Sequence, residues 1–278
     1  MANITAADVN KLRQMTGAGM MDCKNALAEN NGDFDLAIEF LRKKGQKLAN
    51  KRADRDANEG IVIAKTNTTS TYGAVMMLNC ETDFVGKNED FIKFANSIMD
   101  LAIAKSPKSL EELKALNLNG QTVMESVTEM VGKTGEKMDI PHFEVIEAPI
   151  VFAYNHHGNR LGTILGLNKT GVEGIETIGH EVAMQVAAMA PVAVDKDGVD
   201  AVTIEREIEI GKDVARQEGK PEEMLEKIAL GKLNKFYKEN TLLNQEFIKD
   251  NKTSVRDMLS KADKDLTVTG FRRLMLGA

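Results

Sequence analysis

The chain has 278 residues, a formal net charge of −6 and a sequence pI near 5.4, so it can bury substantial cores and is not a general binder of polyanions. Its two cysteines, Cys23 and Cys80, form no disulfide framework in so long a chain and fit a reducing compartment. The first residues carry no apolar leader, and no apolar run approaches the length of a membrane span. We therefore expect a cytoplasmic protein that contacts no membrane.

The first fifty residues contain three short helical patterns separated by glycine turns. The first begins at Thr5, because an acidic residue three positions later is typical of a capped N-terminus, and it ends at Gly17. The second covers about 20–29, and the third begins with Asp33 and is expected to stop near Gly45. Together they would form a bundle of about 45 residues. Its shape would resemble ubiquitin-associated (UBA) domains, which are small binding modules.

Two methionines directly follow the first glycine turn, in the stretch TGAGMMDC. Met20 and Met21 are adjacent, so their side chains point about 100° apart on a helix. Either one alone could belong to the core, but so small a bundle cannot easily bury both. Because methionine is an adaptable contact residue, we expect at least one of the two to lie on a binding surface.

A polar stretch without aromatic residues follows at 46–60, and we interpret it as a helical or extended linker. The basic run from Arg42 to Arg55 could contact phosphates, but its composition favours a solvated helix end. We place a first domain, the three-helix module with its linker, at residues 1–55.

The middle of the chain repeats one layout. Residues 59–79 and 147–167 each show two β-rich runs around a polar turn that contains glycine. A loop follows each pair, and then a helical segment that ends just before a proline, at 89–107 and 175–191. This repeat predicts a duplicated core with antiparallel strands, and hence the α+β class. We place its two subdomains at residues 56–140 and 141–278.

One polar residue interrupts an apolar helical face in the second unit. Gln185 shares this face with Ile178, Val182 and Val186. A glutamine at such a position is either hydrogen-bonded inside the protein or directed at a partner. The periodicity does not decide between the two.

The run Gly132-Lys133-Thr134 imitates part of a phosphate-binding loop. The complete motif needs an earlier glycine, which lets backbone N–H groups surround the phosphates, and the residue at that position is Val127. The run also follows a helical pattern, at about 123–130, rather than a strand. We therefore expect no nucleotide to bind here.

Residues 203–239 predict two antiparallel helices. Apolar residues recur at helical spacing on both sides of Pro221, a residue typical of a first helical turn. We interpret the pair as an antiparallel coiled-coil hairpin, inserted at 202–240 into the second subdomain. A structural projection and an arm for a partner both fit the pattern. A strand-like run at 267–276 could complete the sheet of that subdomain.

The sequence shows no catalytic or metal-binding motif. None of the four histidines lies in an H-E-x-x-H arrangement, and no C-x-x-C pair occurs. Cys80 stands next to Glu81, and an acidic neighbour raises the pKa of a thiol and so makes it less reactive. We therefore expect no enzyme activity and no cofactor.

The loop of the first repeated unit, ETDFVGKNEDF at 81–91, places one aromatic residue among polar and acidic ones. The matching loop of the second unit, NKTGVEG at 168–174, has no aromatic residue. If the subdomain core required Phe84, its duplicate should carry something similar. We therefore expect Phe84 to be exposed and to fill a pocket on a partner, with Asp83 beside it.

With these motifs the sequence closely resembles the translation elongation factor Ts family, the nucleotide-exchange factors for the GTPase elongation factor Tu. The likeness spans nearly the whole chain, and TGAGMMDC with TDFV are its most specific motifs. The matching stretches are 13–24, 31–45, 79–85, 158–162, 181–191 and 218–239.

The resemblance implies a guanine-nucleotide exchange factor in translation elongation, with no bond-making chemistry of its own. Such a factor binds elongation factor Tu with GDP, promotes GDP release, and remains bound until GTP exchange. Thr82, Asp83, Phe84 and Val85 would enter the GTPase domain beside its Mg²⁺ and phosphates.

Further contacts are implied by the same resemblance. Arg13, Met20 and Met21 would pack on a helix near the guanine end of the nucleotide site, and Gln185 stands where many family members have a histidine that contacts the partner. No direct nucleic-acid contact is implied, and a homodimer or a two-plus-two complex with elongation factor Tu stays open. A general adaptor protein and a thiol enzyme using Cys80 are the alternative hypotheses.

Overall fold

The structure, a computed structural model, describes residues 4–277, so the outermost ends of the predicted first and last domains lie outside the described residues. Its combination of helices with antiparallel sheet confirms the predicted α+β class. The α-helices of the described chain are α1 (Ala6–Thr16), α2 (Met20–Glu29), α3 (Phe34–Lys51), α4 (Asp83–Gly86), α5 (Glu89–Lys105), α6 (Leu110–Ala115), α7 (Val123–Thr134), α8 (Ile175–Met189), α9 (Ala201–Gln217), α10 (Glu222–Asn240) and α11 (Val255–Ala262). Its strands are β1 (Glu59–Thr66), β2 (Tyr72–Cys80), β3 (Asn117–Leu118), β4 (Gln121–Thr122), β5 (Met138–Glu147), β6 (Ile150–Asn155), β7 (Leu161–Leu167), β8 (Glu246–Phe247), β9 (Asp250–Ser254) and β10 (Val268–Met275).

Two three-stranded sheets have the same connectivity. Their strand orders are β1-β2-β5 and β10-β7-β6, so in each sheet two consecutive strands pair and a later strand joins the second of them. The β6–β7 pair is antiparallel, with Ile150 opposite Leu167 and Asn155 opposite Gly162. The strand-like run near the end of the chain therefore completes the second sheet, as predicted.

The chain divides into two compact units. One contains the described residues up to Ile63, Met76–Glu144 and the segment from Met275 onward. The other contains Ala64–Val75 and Val145–Leu274. The finer boundaries that we predicted from the sequence, at 55, 140 and 202–240, stay predictions.

In the first unit, α1, α2 and α3 pack around a small core. Helix α1 starts with the predicted cap, because Thr5 and Asp8 form reciprocal hydrogen bonds, and it ends at Gly17, whose φ of 67° is left-handed. Asp33 caps α3 as expected. The buried residues of this bundle are Val9, Leu12, Ala18, Cys23, Ala26, Leu27 and Ala37.

The predicted end of the third helix near Gly45 is wrong, because α3 continues to Lys51. Gly45 is buried where α3 packs on α7. A Cβ atom at this position would lie 3.2 Å from the carbonyl oxygen of Thr128 and 3.6 Å from the Cα of Gly132. The glycine therefore permits a close approach of two helices, which outweighs its cost of about 1 kcal/mol inside a helix.

In the second unit, α8 packs on β6 and β7 over a core that also includes α11 and β10. A Cβ atom at Gly179 would lie only 2.1 Å from the ring of Phe152, so this helix lies very close to the sheet. Helices α9 and α10 pack against each other along their length. Gly211 meets Ala229 at their contact, where a Cβ atom on the glycine would lie 3.0 Å from the Cα of Ala229.

Candidate partner-binding site

The segment between β2 and α5 forms one helical turn, α4, that presents Phe84 to solvent. The Phe84 side chain is 84% exposed, the highest value among the exposed large apolar residues of the described chain. The expectation of an exposed Phe84 is confirmed, although its segment is helical rather than an irregular loop. An aromatic ring in this position has no packing role inside the chain and is available to a pocket elsewhere.

Thr82 begins the turn and is held from outside it. Its hydroxyl accepts a hydrogen bond from the backbone N–H of Val85 (3.4 Å). Its own N–H and hydroxyl donate to the two carboxylate oxygens of Glu136, at 3.0 and 2.6 Å. Glu136 follows the C-terminal end of α7, so the position of Phe84 depends on a distant part of the sequence.

Two glycines let the turn lie against the first strand. Gly86, at the end of α4, is buried, and a Cβ atom there would lie 3.3 Å from the backbone nitrogen of Gly60. Gly60 has a φ of 140°, and a Cβ atom on it would lie 2.1 Å from the carbonyl oxygen of Leu78. Gly60 has no room for a side chain, and a Cβ atom at Gly86 would make a tight contact, so the backbone beneath Phe84 is closely packed.

Asp83 adds a negative charge beside the exposed ring. Lys87, one turn later, donates to its carboxylate at 2.6 Å. This hydrogen bond and the charge of Lys87 lower the pKa of Asp83, so the carboxylate is ionised at neutral pH. A cation or a donor on a partner could replace Lys87, because the pair is exposed.

A second carboxylate, that of Glu81 at the base of the turn, accepts hydrogen bonds from the segments that follow α3 and α7. Arg52, at the end of α3, donates to both of its oxygens at 2.7 and 2.9 Å, and the backbone N–H of Lys137 donates at 2.6 Å. The N–H of Lys137, followed by Arg52, lowers the pKa of Glu81. The ammonium group of Lys137 in turn donates to the carbonyl oxygens of Ala53 and Arg55. We call Arg52, Glu81 and Lys137 the Glu81 cluster.

The N-terminal helices of the same unit present a second group of apolar side chains. Met20 and Met21 are 54% and 63% exposed, so both, and not only one, are available on the surface at the start of α2. Arg13, in the last turn of α1, is also exposed. The turn that separates these helices is fixed by Gly17, whose N–H donates to the carbonyl oxygen of Arg13 at 2.7 Å.

The sequence reasoning missed three exposed apolar residues of this module. Leu36 and Phe40 lie one turn apart on α3, and Met15 lies near the end of α1. The signal was present, because Leu36 and Phe40 lie four positions apart and therefore share one face of α3. The structure thus adds these three to the candidate surface.

Gln185 lies in the second unit and is fully buried, with 0% exposure. Its amide nitrogen donates to the side chain of Gln245 and to the carbonyl oxygen of Glu246, both at 3.1 Å, and its oxygen accepts from the N–H of Ile248 at 2.9 Å. Of the two roles left open by the sequence, the internal hydrogen bond is present. Its polar atoms are thus buried and paired within the unit, and a contact of Gln185 with a partner stays a prediction.

The structure accounts for two sequence features that imitate functional sites, the partial phosphate-loop motif at 132–134 and the thiol of Cys80. Gly132-Lys133-Thr134 forms the last turn of α7, where the helix dipole is unfavourable for phosphates. Cys80 is buried, and burial, followed by the charges of Glu136 and Glu59, raises the pKa of its thiol to about 12. The raised pKa keeps the thiol protonated at neutral pH, as expected, but the cause is burial with Glu136 and Glu59 rather than the sequence neighbour Glu81.

Within residues 4–277, no helix combines the length and the apolar character that a membrane crossing requires. In the same part of the chain, no group of three or more His, Cys, Asp or Glu side chains is arranged to hold a metal ion.

These features describe an α+β protein with exposed apolar side chains on a rigidly held turn and on a small helical bundle. A family model described as "Elongation factor TS" matches residues 81–278, more than half of the chain. Proteins named elongation factor Ts are similar over the whole length. They include that of Christiangramia forsetii, 54% identical with 100% of both chains covered, that of Amoebophilus asiaticus, 51% identical with 99% of both covered, and that of Porphyromonas gingivalis, 47% identical with 99% of both covered.

The chain belongs to the elongation factor Ts family. The resemblance that the motifs indicated is confirmed, and with it the assignment to a family of translation elongation factors.

Proposed function

We propose that this protein is a guanine-nucleotide exchange factor that binds elongation factor Tu with GDP, promotes GDP release and remains bound until GTP exchange. Membership of the elongation factor Ts family supports elongation factor Tu as the partner. The observation that carries the mechanism is the Phe84 side chain, 84% exposed on a turn that other parts of the chain hold in place.

In this mechanism Thr82, Asp83, Phe84 and Val85 enter the GTPase beside its Mg²⁺ and phosphates. Tight GDP binding depends on backbone N–H groups and on Mg²⁺, which neutralise the phosphate charge. A bulky ring that displaces those groups weakens the bound nucleotide. The ionised Asp83 adds to the effect, because a carboxylate near the phosphates repels them and competes for the cation.

The coupling is reciprocal. If the factor weakens GDP binding, bound nucleotide weakens the factor by the same ratio, and a coupling of about 3 kcal/mol corresponds to about 150-fold. Arriving GTP therefore releases the factor. The protein makes and breaks no covalent bond in this scheme, so it is not an enzyme and needs no cofactor of its own.

The N-terminal helices supply a second contact. We propose that they form a UBA-like module within residues 1–55, and that Arg13, Met20 and Met21 pack on a helix near the guanine end of the site. The exposure of both methionines supports this role. In line with the repeated strand–strand–helix order, the core would comprise subdomains at 56–140 and 141–278.

We propose that α9 and α10 form an antiparallel coiled coil at 202–240 that projects toward a partner. The protein would act in the cytoplasm as a homodimer or in a two-plus-two complex with elongation factor Tu, without direct contact to nucleic acid or membrane. Gln185 would act indirectly, by holding the backbone around Ile248, whose side chain is exposed.

The test is the release of a fluorescent GDP analogue from elongation factor Tu in the presence of excess GDP. We expect the wild-type protein to accelerate release and Phe84→Ala to lose most of that acceleration, by about 100-fold. Met124→Ala is the matched control, because Met124 is an exposed apolar residue of the same unit outside the proposed contacts. No acceleration by the wild type would exclude the function, and a fully active Phe84→Ala would exclude the role of the ring.

A further inference from the structure

The contact between Thr82 and Glu136 joins the start of the Phe84 turn to a residue 54 positions later. The backbone N–H and the hydroxyl of Thr82 both donate to the one carboxylate, one to each oxygen. Hydrogen bonds to an ionised carboxylate are stronger than neutral ones, and two of them fix direction as well as distance. This contact therefore restrains the angle at which the turn leaves β2.

The turn cannot hold this angle by itself. Helix α4 has only four residues, and so short a helix is not stable without contacts from outside. The Lys87–Asp83 pair is exposed and internal to the segment, so it does not attach the turn to the rest of the unit. The turn is held by the close packing of Gly86 on Gly60 and by the thiol of Cys80 at the end of β2, which donates to the carbonyl oxygen of Thr82 at 3.1 Å. The Glu136 carboxylate adds the contact that joins the N–H and the hydroxyl of Thr82 to a segment far away in the sequence.

Glu136 is itself held on both sides. Gly135 ends α7 in a left-handed conformation, with a φ of 76°, and its N–H donates to the carbonyl oxygen of Val131 at 2.8 Å. Lys137, the next residue, belongs to the Glu81 cluster, which reaches the end of α3. The carboxylate is thus presented from a fixed backbone, and it can determine the position of the turn rather than follow it.

We propose that Glu136 is a positioning residue for nucleotide exchange, which aims Phe84 by holding the N–H and the hydroxyl of Thr82. This inference rests on the proposed exchange function and extends it to a residue outside the motif that contacts the GTPase. Glu136 acts only through the turn from Thr82 to Val85, in which the ring of Phe84 makes the largest contribution. The loss of Glu136 should lower the rate at saturation more than the apparent affinity, because the N-terminal surface still binds.

The same chain offers a matched control. Thr122 donates its N–H and its hydroxyl to the carboxylate of Glu125, at 2.7 and 2.9 Å, in the cap of α7. This is the same pair of donors on the same kind of acceptor, at a place that none of the proposed contacts uses. Glu125→Ala should cost a similar part of the stability and leave the exchange rate unchanged.

The first experiment needs no partner. The protein has no tryptophan, so Phe84→Trp introduces a single fluorescent indole at the tip of the turn. We expect its anisotropy to fall when Glu136→Ala is added and to stay constant when Glu125→Ala is added, at a temperature where all variants are folded by circular dichroism. The anisotropy with Glu136→Gln should lie between the values for Glu136 and for Glu136→Ala, since the amide retains one acceptor oxygen. An unchanged anisotropy in the Glu136→Ala background would overturn the positioning role.

The second experiment is a double-mutant comparison of GDP release. Glu136→Ala should lower the maximal rate about tenfold, with a smaller change in the half-saturating concentration. In the Phe84→Ala background the same substitution should lower the rate much less, about twofold or below, because the ring that it chiefly positions is gone. Equal losses in both backgrounds would show a general structural effect and would overturn the proposal. An inactive wild type would instead contradict the exchange function, and the anisotropy would still report on the turn.

Discussion

The two loops that follow the hairpins of the repeated sheets differ although their strands are connected in the same way. After β2, residues 81–88 form a helical turn with Phe84 exposed. After β7, residues 168–174 are mostly polar, and the loop is bonded to the segment before β10. There, Asn168 donates to the carbonyl oxygen of Asp265 and accepts from the N–H of Thr267, both at 2.8 Å.

Both loops are fastened by polar contacts from a later segment, but the contacts act on different atoms. In the first loop, Glu136 holds the residue that begins the turn and leaves the ring of Phe84 exposed to solvent. In the second loop, Asn168 is bonded to the segment before β10, and Lys169 pairs with Asp263 of the same segment. Sheet connectivity thus places a loop, while the tertiary hydrogen bonds decide what the loop presents.

The largest expected effect on stability comes from adding a side chain at Gly60, in the closely packed backbone beneath the first loop. Gly60→Ala would place a Cβ atom 2.1 Å from the carbonyl oxygen of Leu78, at a φ of 140° that other residues rarely adopt. We expect a loss of at least about 3 kcal/mol in the free energy of unfolding, measured with urea.

Gly171→Ala is the corresponding change in the second loop. Its φ of 76° is also left-handed, but no atom lies within 4 Å of the added carbon. Its cost should be only about 1 kcal/mol, from backbone strain alone. Equal losses for the two variants would show that the close packing under the Phe84 turn is absent in solution.

A smaller effect should follow from releasing the second loop. Asn168→Ala removes an acceptor from the N–H of Thr267 and should lower the free energy of unfolding by about 1–2 kcal/mol. The rate of GDP release should not change, in contrast to Glu136→Ala. Urea unfolding and the fluorescent GDP assay on one preparation give both values. A loss of exchange without a loss of stability would mean that the second loop contacts the partner. It would contradict the conclusion that only the first loop acts in exchange.

The local part of this architecture could be predicted from the sequence. The cap at Thr5, the stop at Gly17 and the repeated strand–strand–helix order depend on neighbouring residues, and all of them are present. The exposure of Phe84 was also predictable, because comparing the two repeats removed the explanation that the core required it.

The remaining features depend on contacts between distant segments, which periodicity does not report. Gly45 looked like a helix end, yet it serves the packing of α3 on α7. Gln185 looked equally suited to a partner and to the interior, and only the position of Ile248 and its neighbours shows which atoms it bonds. The support of the Phe84 turn by Glu136 lies 54 residues away and has no local signal.

The smallest expected effect concerns the charge on the first loop. The hydrogen bond from Lys87, followed by its charge, lowers the pKa of Asp83 below its ordinary value of 3.8. A lowered pKa in the folded state means that the contribution to stability is present above the ordinary value and is lost as the pH falls through the lower one. Lys87→Ala should therefore move the carboxyl midpoint of Asp83 upward in an NMR titration, with little change in stability at pH 7, because the pair is exposed.

Lys93→Ala is the control for this titration, since Lys93 pairs with Glu89 at the same spacing on α5. It should leave the Asp83 midpoint where it is.

If Lys87→Ala leaves the Asp83 midpoint unchanged, the hydrogen bond between the two residues is not formed in solution and Asp83 is already free. The proposed competition of this carboxylate with the phosphates would then need no displacement of Lys87. An upward shift would instead mean that the partner must first replace this lysine, and Lys87→Ala should then increase the affinity for elongation factor Tu slightly.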